Sequence, residues 1–476
     1  MEAPAESGRF RVVIVGGGPV GLTAAHALLR AGIDFVMLEA RDTCIPEEGA
    51  SLLAYASTHR VWHQLGLFDA MAAESAPIET RTILTHAGRV YRNGSPALFH
   101  RRLFGTPPWN FHRRNLVRVL YDSLPADVRA NCILTGKKVS ELVPDVSGIS
   151  VHCEDGTVER GTMVLGVDGV HSKTRGMMRT LALKAGPNTD GINPERPYRA
   201  EYRCLWGTCP RPAAIPPKSN FEAHGSVRSL MFMTAHDQAW FFLYEQLEKP
   251  TDEARRDYAV SDREQFAARF AGMHVTPDLV FGDVWPTRTA CGMADQLEGV
   301  LPHWRLAPAA GGRVVLAGDA VHRFTPNFGW GYNSGVNDVA VLTSLLHAEV
   351  IEKQAAMSAE ALDDVFARYQ TARQVDDDIA NVAANSAKVT RQSARPRQWL
   401  AAAVFWLLEH VLPNLIPNFE MFASKKVLGK IMRRGRVLDF LPEGAFAQTD
   451  ARVFGGELGW DFPIPVVAAE KDVMSD

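Results

Sequence analysis

Apolar positions near the start of the chain are packed without a break rather than spaced. Val12 to Val15 form a β-branched run that ends in glycines, and such a run predicts a short strand covered on both faces, as in a parallel sheet. The glycines Gly16, Gly18 and Gly21 lead into Leu22-Thr-Ala-Ala-His-Ala-Leu-Leu, a helix, and Ile33 to Leu38 then predicts a second buried strand. Together they make a βαβ opening.

Further on, a helix is expected from about Thr58 to Met71 and a hairpin over Thr82 to Tyr91, with Gly88 at its turn. Leu116, Val119, Leu120 and Leu124 recur at helical spacing after Phe111. Strands are expected at Cys132 to Leu134, Ile149 to Cys153 and Val158 to Val167. From about Leu181 to Trp285 the pattern changes. Prolines multiply, and strand-like aromatic runs appear at Tyr202 to Trp206, Ser229 to Thr234 and Ala239 to Tyr244, which predicts a mostly antiparallel layer suited to a substrate pocket. Arg313 to Ala320 repeats the buried-strand pattern, and a long helix follows from about Asn333 to Lys353, with Val336, Val339, Ala340, Leu342, Leu346 and Val350 on its apolar face. Later, Trp399 to Leu408 is apolar but too short to span a bilayer. With Trp399 and Trp406 as anchors and basic residues from Lys425 onward, the 399–417 segment reads equally as a peripheral membrane helix or as a packing helix.

Composition narrows the function classes. At 476 residues and 46% hydrophobic content the chain can bury a large core and divide into two or three domains. A formal charge of −3 without long like-charged runs gives no footprint for nucleic acid, so a small-molecule substrate is expected instead. The six cysteines fall in no Cys-x-x-Cys pair, so they read as reduced thiols and not as a zinc ribbon or redox dithiol. The polar N-terminus carries two acids, unlike a secretory or mitochondrial leader, which predicts a cytosolic or peripherally membrane-associated protein. His59 and His63 lie one helical turn apart, but no third ligand is near them in sequence, and no metal site is expected.

The glycine turn carries the chemistry. In Gly16-x-Gly18-x-x-Gly21, the first glycine permits the tight turn, the second lets a pyrophosphate approach the backbone, and the third lets the helix pack against the strand. Glu39 ends the second strand at the distance where an acid reaches a ribose hydroxyl, which argues for FAD or NAD over NADP as the tightly held ligand. Arg113 opens a helix, where a cation is unfavourable unless an anion offsets it. Asp168-Gly169, with Ser172 and Arg175 after it, is a second candidate phosphate or ribose site. The helix beginning near Asn333 aims its positive end at whatever follows Gly329.

Gly16 to Gly21 with Glu39, Val167-Asp168-Gly169, and Gly318-Asp319 with Pro326 and Gly329-Trp330-Gly331 occur in the order and spacing of one family. Over about residues 10 to 350 the chain resembles the FAD-dependent group A monooxygenases, those of the para-hydroxybenzoate hydroxylase kind, closest to the fungal secondary-metabolite epoxidases. The resemblance implies an α/β fold: a Rossmann-like FAD-binding domain of three-layer ββα type, discontinuous over 8–80, 101–180 and 286–350. It also implies an inserted, mostly antiparallel substrate sheet over 81–100 and 181–285, and a C-terminal helical region over 351–476. It places Gly16, Gly18, Gly21 and Glu39 on the ADP half of FAD, with Ala50 and Arg113 beside the cofactor and Arg41 also among the cofactor-binding residues. Asp168 would contact FAD and NAD(P)H, and Asp319 the ribityl or pyrophosphate region. Gly331 and Tyr332 would lie near the isoalloxazine, with Pro326 and Gly329 also among the cofactor-binding residues. NADPH or NADH would then reduce the flavin and O2 would add at C4a, so that a hydroperoxide hydroxylates or epoxidises a bulky, mostly apolar polyketide, meroterpenoid or prenylated aromatic. Two departures stand out. Trp330 replaces the family's usual glutamine, and Ala239-Trp240-Phe241 replaces a Tyr-Trp-Phe run, so Trp240, Tyr244 and Trp330 become the pocket candidates, and Arg203 the candidate for orienting substrate or nicotinamide. A second Gly-x-Gly-x-x-Gly and a Trp-x-Trp-x-Ile-Pro run are both absent, which disfavours Baeyer-Villiger and halogenase chemistry. A flavin reductase or a catalytically degenerate flavin protein on the same fold would carry the same cofactor motifs.

Overall fold

The structure is a computed structural model and describes residues 9–46, 50–95, 97, 100–101, 104–186, 192–225, 227–376, 379–380 and 436–441. The opening run forms β1 (Arg11–Val15), followed by α1 (Pro19–Ala31) and β2 (Asp34–Leu38). These lie in a five-stranded parallel sheet with β8 (Ile133–Leu134), β12 (Met163–Gly166) and β20 (Val314–Leu316), in the order β20-β12-β1-β2-β8. Val12, Val13 and Ile14 have no exposed surface, which is why an unbroken β-branched run suits this position. A three-stranded antiparallel sheet of β9 (Val139–Pro144), β10 (Ile149–Cys153) and β11 (Val158–Gly161) shares the same core through Leu142, Ile149 and Val151.

A second sheet has eight strands in the order β21-β19-β13-β16-β15-β14-β5-β6. They are β5 (Thr80–Thr85), β6 (Val90–Gly94), β13 (Arg199–Pro210), β14 (Ser219–His224), β15 (Arg228–Thr234), β16 (Gln238–Thr251), β19 (Ala290–Val300) and β21 (His322–Arg323). Its two faces bury different residues. Leu205, Phe241 and Leu243 pack with Phe266, Phe270 and Phe281, in the layer that contains α7 (Val260–Ala268), α8 (Phe281–Val284) and the short pair β17 (His274–Thr276) and β18 (Leu279–Val280). Cys204, Met231, Met233, Trp240, Phe242 and Tyr244 form the other face, against Ala50, Leu53 and Ile78 of the nucleotide-binding side. A small sheet of β3 (Ser51–Ala54), β4 (Ala76–Pro77) and β7 (Trp109–His112) lies at this junction.

Several sequence expectations change. The Thr58 to Met71 helix is two helices, α2 (Ala56–Leu65) and α3 (Phe68–Glu74), because Gly66 takes the left-handed conformation that ends the first. The strand β9 had no alternating signal strong enough to be read. Ala290–Val300 was expected in the flavin unit, but it pairs with β13 from Arg199 to Thr208 and so belongs to the eight-stranded sheet. Its run Cys-Gly-Met-Ala-Asp-Gln hides a strand from any propensity argument, and backbone pairing alone recruits it. Arg113–Asp122 (α4), Ala126–Cys132 (α5) and Lys173–Ala185 (α6) lie with the parallel sheet, and α6 carries the flavin unit past residue 180.

The expected Asn333 to Lys353 helix starts earlier, as α9 (Trp330–Leu346), and closes in a π-helical turn over His347–Glu352. Of the expected C-terminal helical region, α10 (Ala359–Thr371) buries Leu362, Val365, Phe366 and Tyr369 in the parallel-sheet core, so residues 359–371 are part of that unit. The Gln64 side-chain amide pairs with the Leu438 backbone, its Nε2 donating to the carbonyl at 3.0 Å and its Oε1 accepting from the N–H at 2.9 Å. The 399–417 segment lies outside the described residues; among those described, no helix is long and apolar enough to cross a membrane.

Candidate active site

A cavity of about 1950 Å3 runs from the glycine turn to the apolar face of the eight-stranded sheet. Small-ligand pockets commonly measure roughly 300–1,000 Å3, so this one has room for a dinucleotide and a second ligand. Two helix N-termini open into it. Gly18 and Pro19 of α1 and Trp330 and Gly331 of α9 all line it, and neither helix has a side-chain cap or an acid in its first turn. The free amides and the positive ends of both helices therefore face the same space. Close packing of α1 on α9 sets this convergence, since a Cβ at Gly335 would lie 2.5 Å from Val20 Cγ2.

The glycine turn has the construction its spacing implied. Gly16 has φ +114°, a Cβ at Gly21 would lie 2.0 Å from the Gly16 carbonyl oxygen, and a Cβ at Gly18 would meet nothing within 4 Å. Gly18 thus leaves open space over the backbone, while Gly21 lets the helix close on the turn. Glu39 is buried and binds the turn itself: Gly17 N–H donates to Oε2 at 2.7 Å and Arg41 N–H to Oε1 at 3.0 Å. This turn-holding role was not visible in the spacing. Arg41 is largely exposed and brings Nε to 3.3 Å from Glu39.

Arg113 lies on the cavity wall with Asp319 and Arg323. Arg113 is open to the cavity, yet the protein surrounding that cavity works to lower its pKa, Asp319 opposes that shift, and Arg323 and Arg41 add to it. Its backbone N–H donates to the Ala50 carbonyl at 3.1 Å, which ties the start of α4 to the loop before β3. Asp319 pairs with Arg323 at 2.5 Å, and a Cβ at Gly331 would come 3.4 Å from Asp319 Oδ1. Pro326 and Gly329 also line the cavity; Gly329 has φ +66° and backs onto Leu53.

Other expected residues are placed differently. Asp168 lines the cavity, but its Oδ2 caps α6 by accepting from Thr174 N and Oγ1 at 2.9 and 3.0 Å, while Oδ1 is buried without a partner. Ser172 is the N-cap of α6, and Arg175 donates to the Val170 and Ala320 carbonyls, so neither side chain serves as a phosphate contact here. Tyr332 borders the cavity, yet its hydroxyl bonds to Thr23 Oγ1 at 3.0 Å and Trp62 Nε1 at 3.1 Å, both buried, which pins α9 to α1 and turns the polar end away from any flavin. Trp330 lines the cavity and stacks on Tyr55 at 5.2 Å, which stacks in turn on His100 at 5.9 Å. Tyr244 lines it too, its hydroxyl against the Cys204 thiol.

Trp240 is not among the lining residues; it is buried with Met233 and Phe242, with its ring 6.4 Å from His112. Arg203 is not among the lining residues either. It alternates with the cavity-facing Cys204 and Trp206, so the pleat turns it to the side of α7, beside Tyr258 and Asp295, which themselves reach the cavity.

The structure adds residues that sequence reasoning missed. Asn333 is fully buried. Its Oδ1 accepts from Tyr55 N at 2.9 Å and Thr58 Oγ1 at 2.6 Å, and its Nδ2 donates to the Leu53 and Gly329 carbonyls. Behind Gly318, the buried Asp338 accepts from Gly318 N (2.7 Å), His322 Nε2 (2.6 Å) and Arg373 Nε (2.7 Å). Burial works to raise the Asp338 pKa, but His322 and Arg373 outweigh it and hold the group below the usual carboxylate range. The run Gly318-Asp-Ala-Val-His322 contains one of these partners, but Asp338 and Arg373 look in sequence like ordinary helix residues.

A flavin dinucleotide carries an anionic pyrophosphate between two long arms, and the site suits it. There is open backbone at Gly18, two uncapped helix ends, cations at Arg41, Arg113 and Arg323, and a leftover carboxylate oxygen on Asp168. Comparison with known proteins points the same way. The FAD binding domain family matches residues 9–184 and 303–374. The FAD-dependent monooxygenase ausM of Penicillium brasilianum is 30% identical over 77% of this chain and 76% of its own length. The FAD-dependent monooxygenase spyC of Aspergillus fumigatus is 30% identical over 91% and 88%. Among solved structures, Klebsiella pneumoniae HpxO complexed with FAD and uric acid has a TM-score of 0.66 at 21% identity, covering 90% of this chain and 97% of that one. Pseudomonas aeruginosa PqsL in complex with 2-aminobenzoylacetate has a TM-score of 0.63 at 19% identity, covering 84% and 100%. The chain belongs to the FAD-dependent monooxygenases with the group A type of FAD-binding domain.

Proposed function

We propose that this monooxygenase uses NADPH or NADH and O2 to place one oxygen atom on a bulky, mostly apolar secondary metabolite, by hydroxylation or epoxidation. The observation that carries this reading is one continuous cavity, polar and uncapped at the glycine turn, apolar at the sheet. FAD, when bound, supplies the redox chemistry: it accepts two electrons from the nicotinamide and passes them to O2, so that one oxygen enters the substrate and the other leaves as water. The chain's own residues bind, orient and exclude water.

In this reading Gly16, Gly18 and Gly21 receive the pyrophosphate at the N-terminus of α1, with Glu39 shaping the turn beside the adenosine ribose. Arg113 balances the negative charge of the cofactor, and Asp319 holds its central portion. The α9 N-terminus at Trp330 and Gly331 stabilises the charge that a reduced flavin carries. Cys204, Met231, Met233, Phe242 and Tyr244 give the substrate an apolar wall.

Asp319→Ala tests the cofactor assignment. The variant should lose FAD during purification while keeping its fold by circular dichroism. Retention of one FAD per chain with full NADPH-oxidising activity would remove Asp319 from the cofactor site.

A further inference from the structure

The wall of the cavity formed by the eight-stranded sheet is apolar around Cys204, Met231, Met233 and Phe242 and carries a polar row along β14. Residues Asn220, Glu222 and His224 alternate along β14 and so project from one face, into the same cavity as Met231 and Met233 of β15. Across the parallel pairing with β5, Arg81 forms a two-pronged bond to Glu222, Nε to Oε1 at 2.9 Å and Nη2 to Oε2 at 2.7 Å. Asn220 Nδ2 donates to Glu222 Oε1 at 2.9 Å, and His224 Nε2 lies 3.6 Å from Oε2. Because an ionised carboxylate only accepts, the Asn220 amide is fixed with its nitrogen toward Glu222, and its Oδ1 is left buried without a partner.

A half-exposed ion pair such as Arg81–Glu222 is a weak means of stabilising a fold, since solvent screens it and both side chains lose freedom. The same pair on the wall of a binding cavity does something else. Glu222 and Arg81 cancel each other's charge, so the patch has no net pull on an ionic ligand. It still presents the Glu222 carboxylate, with the unpartnered Asn220 amide oxygen buried behind it, in a mostly apolar surrounding of Met231, Met233, Phe242 and the Tyr244 ring.

Building on the reading of the cavity as the monooxygenase substrate site, we propose that Asn220, Glu222 and His224, braced by Arg81, form the subsite that recognises a neutral hydroxyl on the substrate. The substrate class is thereby a largely apolar ring compound carrying an alcohol or phenol at one end, and not a carboxylic acid. The hydroxyl sets which end of the molecule lies away from the flavin.

Three compounds with one ring system test this: 2-naphthol, 2-methoxynaphthalene and 2-naphthoate, titrated against the FAD-loaded enzyme with the flavin absorbance as readout. The naphthol should bind roughly tenfold or more tightly than its methyl ether, the difference expected for a hydrogen bond to a charged acceptor, and the naphthoate more weakly than the naphthol. In Glu222→Gln the Arg81 charge is no longer cancelled, so the order should reverse: naphthoate gains and naphthol falls to the level of the ether. Equal binding of naphthol and ether by the wild type, tightest binding of naphthoate by the wild type, or no binding of any of the three overturns the proposal, and none of these readings needs the variant to fold. An unchanged order in a folded Glu222→Gln enzyme also overturns it. A chain that takes up no FAD at all would instead refute the monooxygenase reading on which the proposal rests.

Discussion

Replacing Arg373 by methionine isolates the buried network behind Gly318. Arg373 is 3% exposed and Asp338 not exposed at all, and the guanidinium also donates to Ser334 Oγ at 2.8 Å. Methionine keeps most of the volume and removes the charge, leaving Asp338 ionised in the core with only Gly318 N and His322 as donors. Breaking one partner out of a buried pair typically costs about 3–5 kcal/mol, because the remaining charge is desolvated without compensation. At roughly 2–4 °C per kcal/mol in sizeable domains, taken at the lower end for this chain, the midpoint of thermal unfolding should fall by about 6–10 °C. The sign of the pH dependence follows. In the wild type the Asp338 carboxyl is held low, so its contribution is present above the unfolded carboxylate range and is lost as pH falls through the lower, folded value. Without Arg373 burial dominates and pushes the carboxyl up, so folding takes up a proton and the variant loses stability as pH rises. The gap between wild type and variant should therefore be widest near neutrality and narrow toward about pH 5. Asp338→Asn combined with Arg373→Met should cost less than the sum of the two single changes, since the double variant buries no lone charge. Thermal unfolding of the three variants across pH, followed by circular dichroism and flavin fluorescence, reads all of this. A loss under 1 kcal/mol, a gap that does not change with pH, or additive single changes would refute the reasoning.

Gly21→Ala puts a Cβ 2.0 Å from the Gly16 carbonyl oxygen, both on backbone that cannot yield, so it should destabilise by at least the ~1–3 kcal/mol of an overpacked core and abolish FAD uptake; stoichiometric flavin in the purified variant would show that the turn is not where α1 must close. Burial pushes the His100 pKa down from 6.5 to about 4, so the unfolded chain binds a proton that the folded chain refuses across that window, and stability should fall as pH drops from 6.5 toward 4 by about 3 kcal/mol. His100→Gln should flatten that part of a denaturant-unfolding series, and an unchanged slope would assign it to other groups.

The nucleotide-binding half was legible because its chemistry demands particular residues at particular places. Gly16 and Gly21 are forced by a positive φ and a backbone contact, and the Val12 to Val15 run by burial on both faces. What escaped was set by long-range pairing. Ala290–Val300 becomes a strand only because β13 offers it a partner, and the side of the sheet taken by Arg203 depends on a register fixed by that pairing after an irregularity between Ala200 and Tyr202. Asp338 and Arg373 lie 35 residues apart and meet through helix packing, which no local pattern encodes. Glu39 was legible as an acid at the end of β2, but its grip on Gly17 required coordinates. Tyr55 and His100 escaped for the same reason as the polar row on β14: each is unremarkable alone and gains meaning only from the wall it shares.

A monooxygenase of this kind must hold FAD in the cavity and pass electrons from a nicotinamide to oxygen. The measurement is the flavin content of the purified protein, released by heating, followed by anaerobic addition of NADPH or NADH and then air while the visible flavin band is recorded. One FAD per chain, released intact, bleached by at least one of the two nicotinamides and restored by oxygen, is the predicted result. A protein that is colourless and takes up no FAD on titration, or whose bound flavin neither nicotinamide reduces with or without an apolar phenol present, would contradict it.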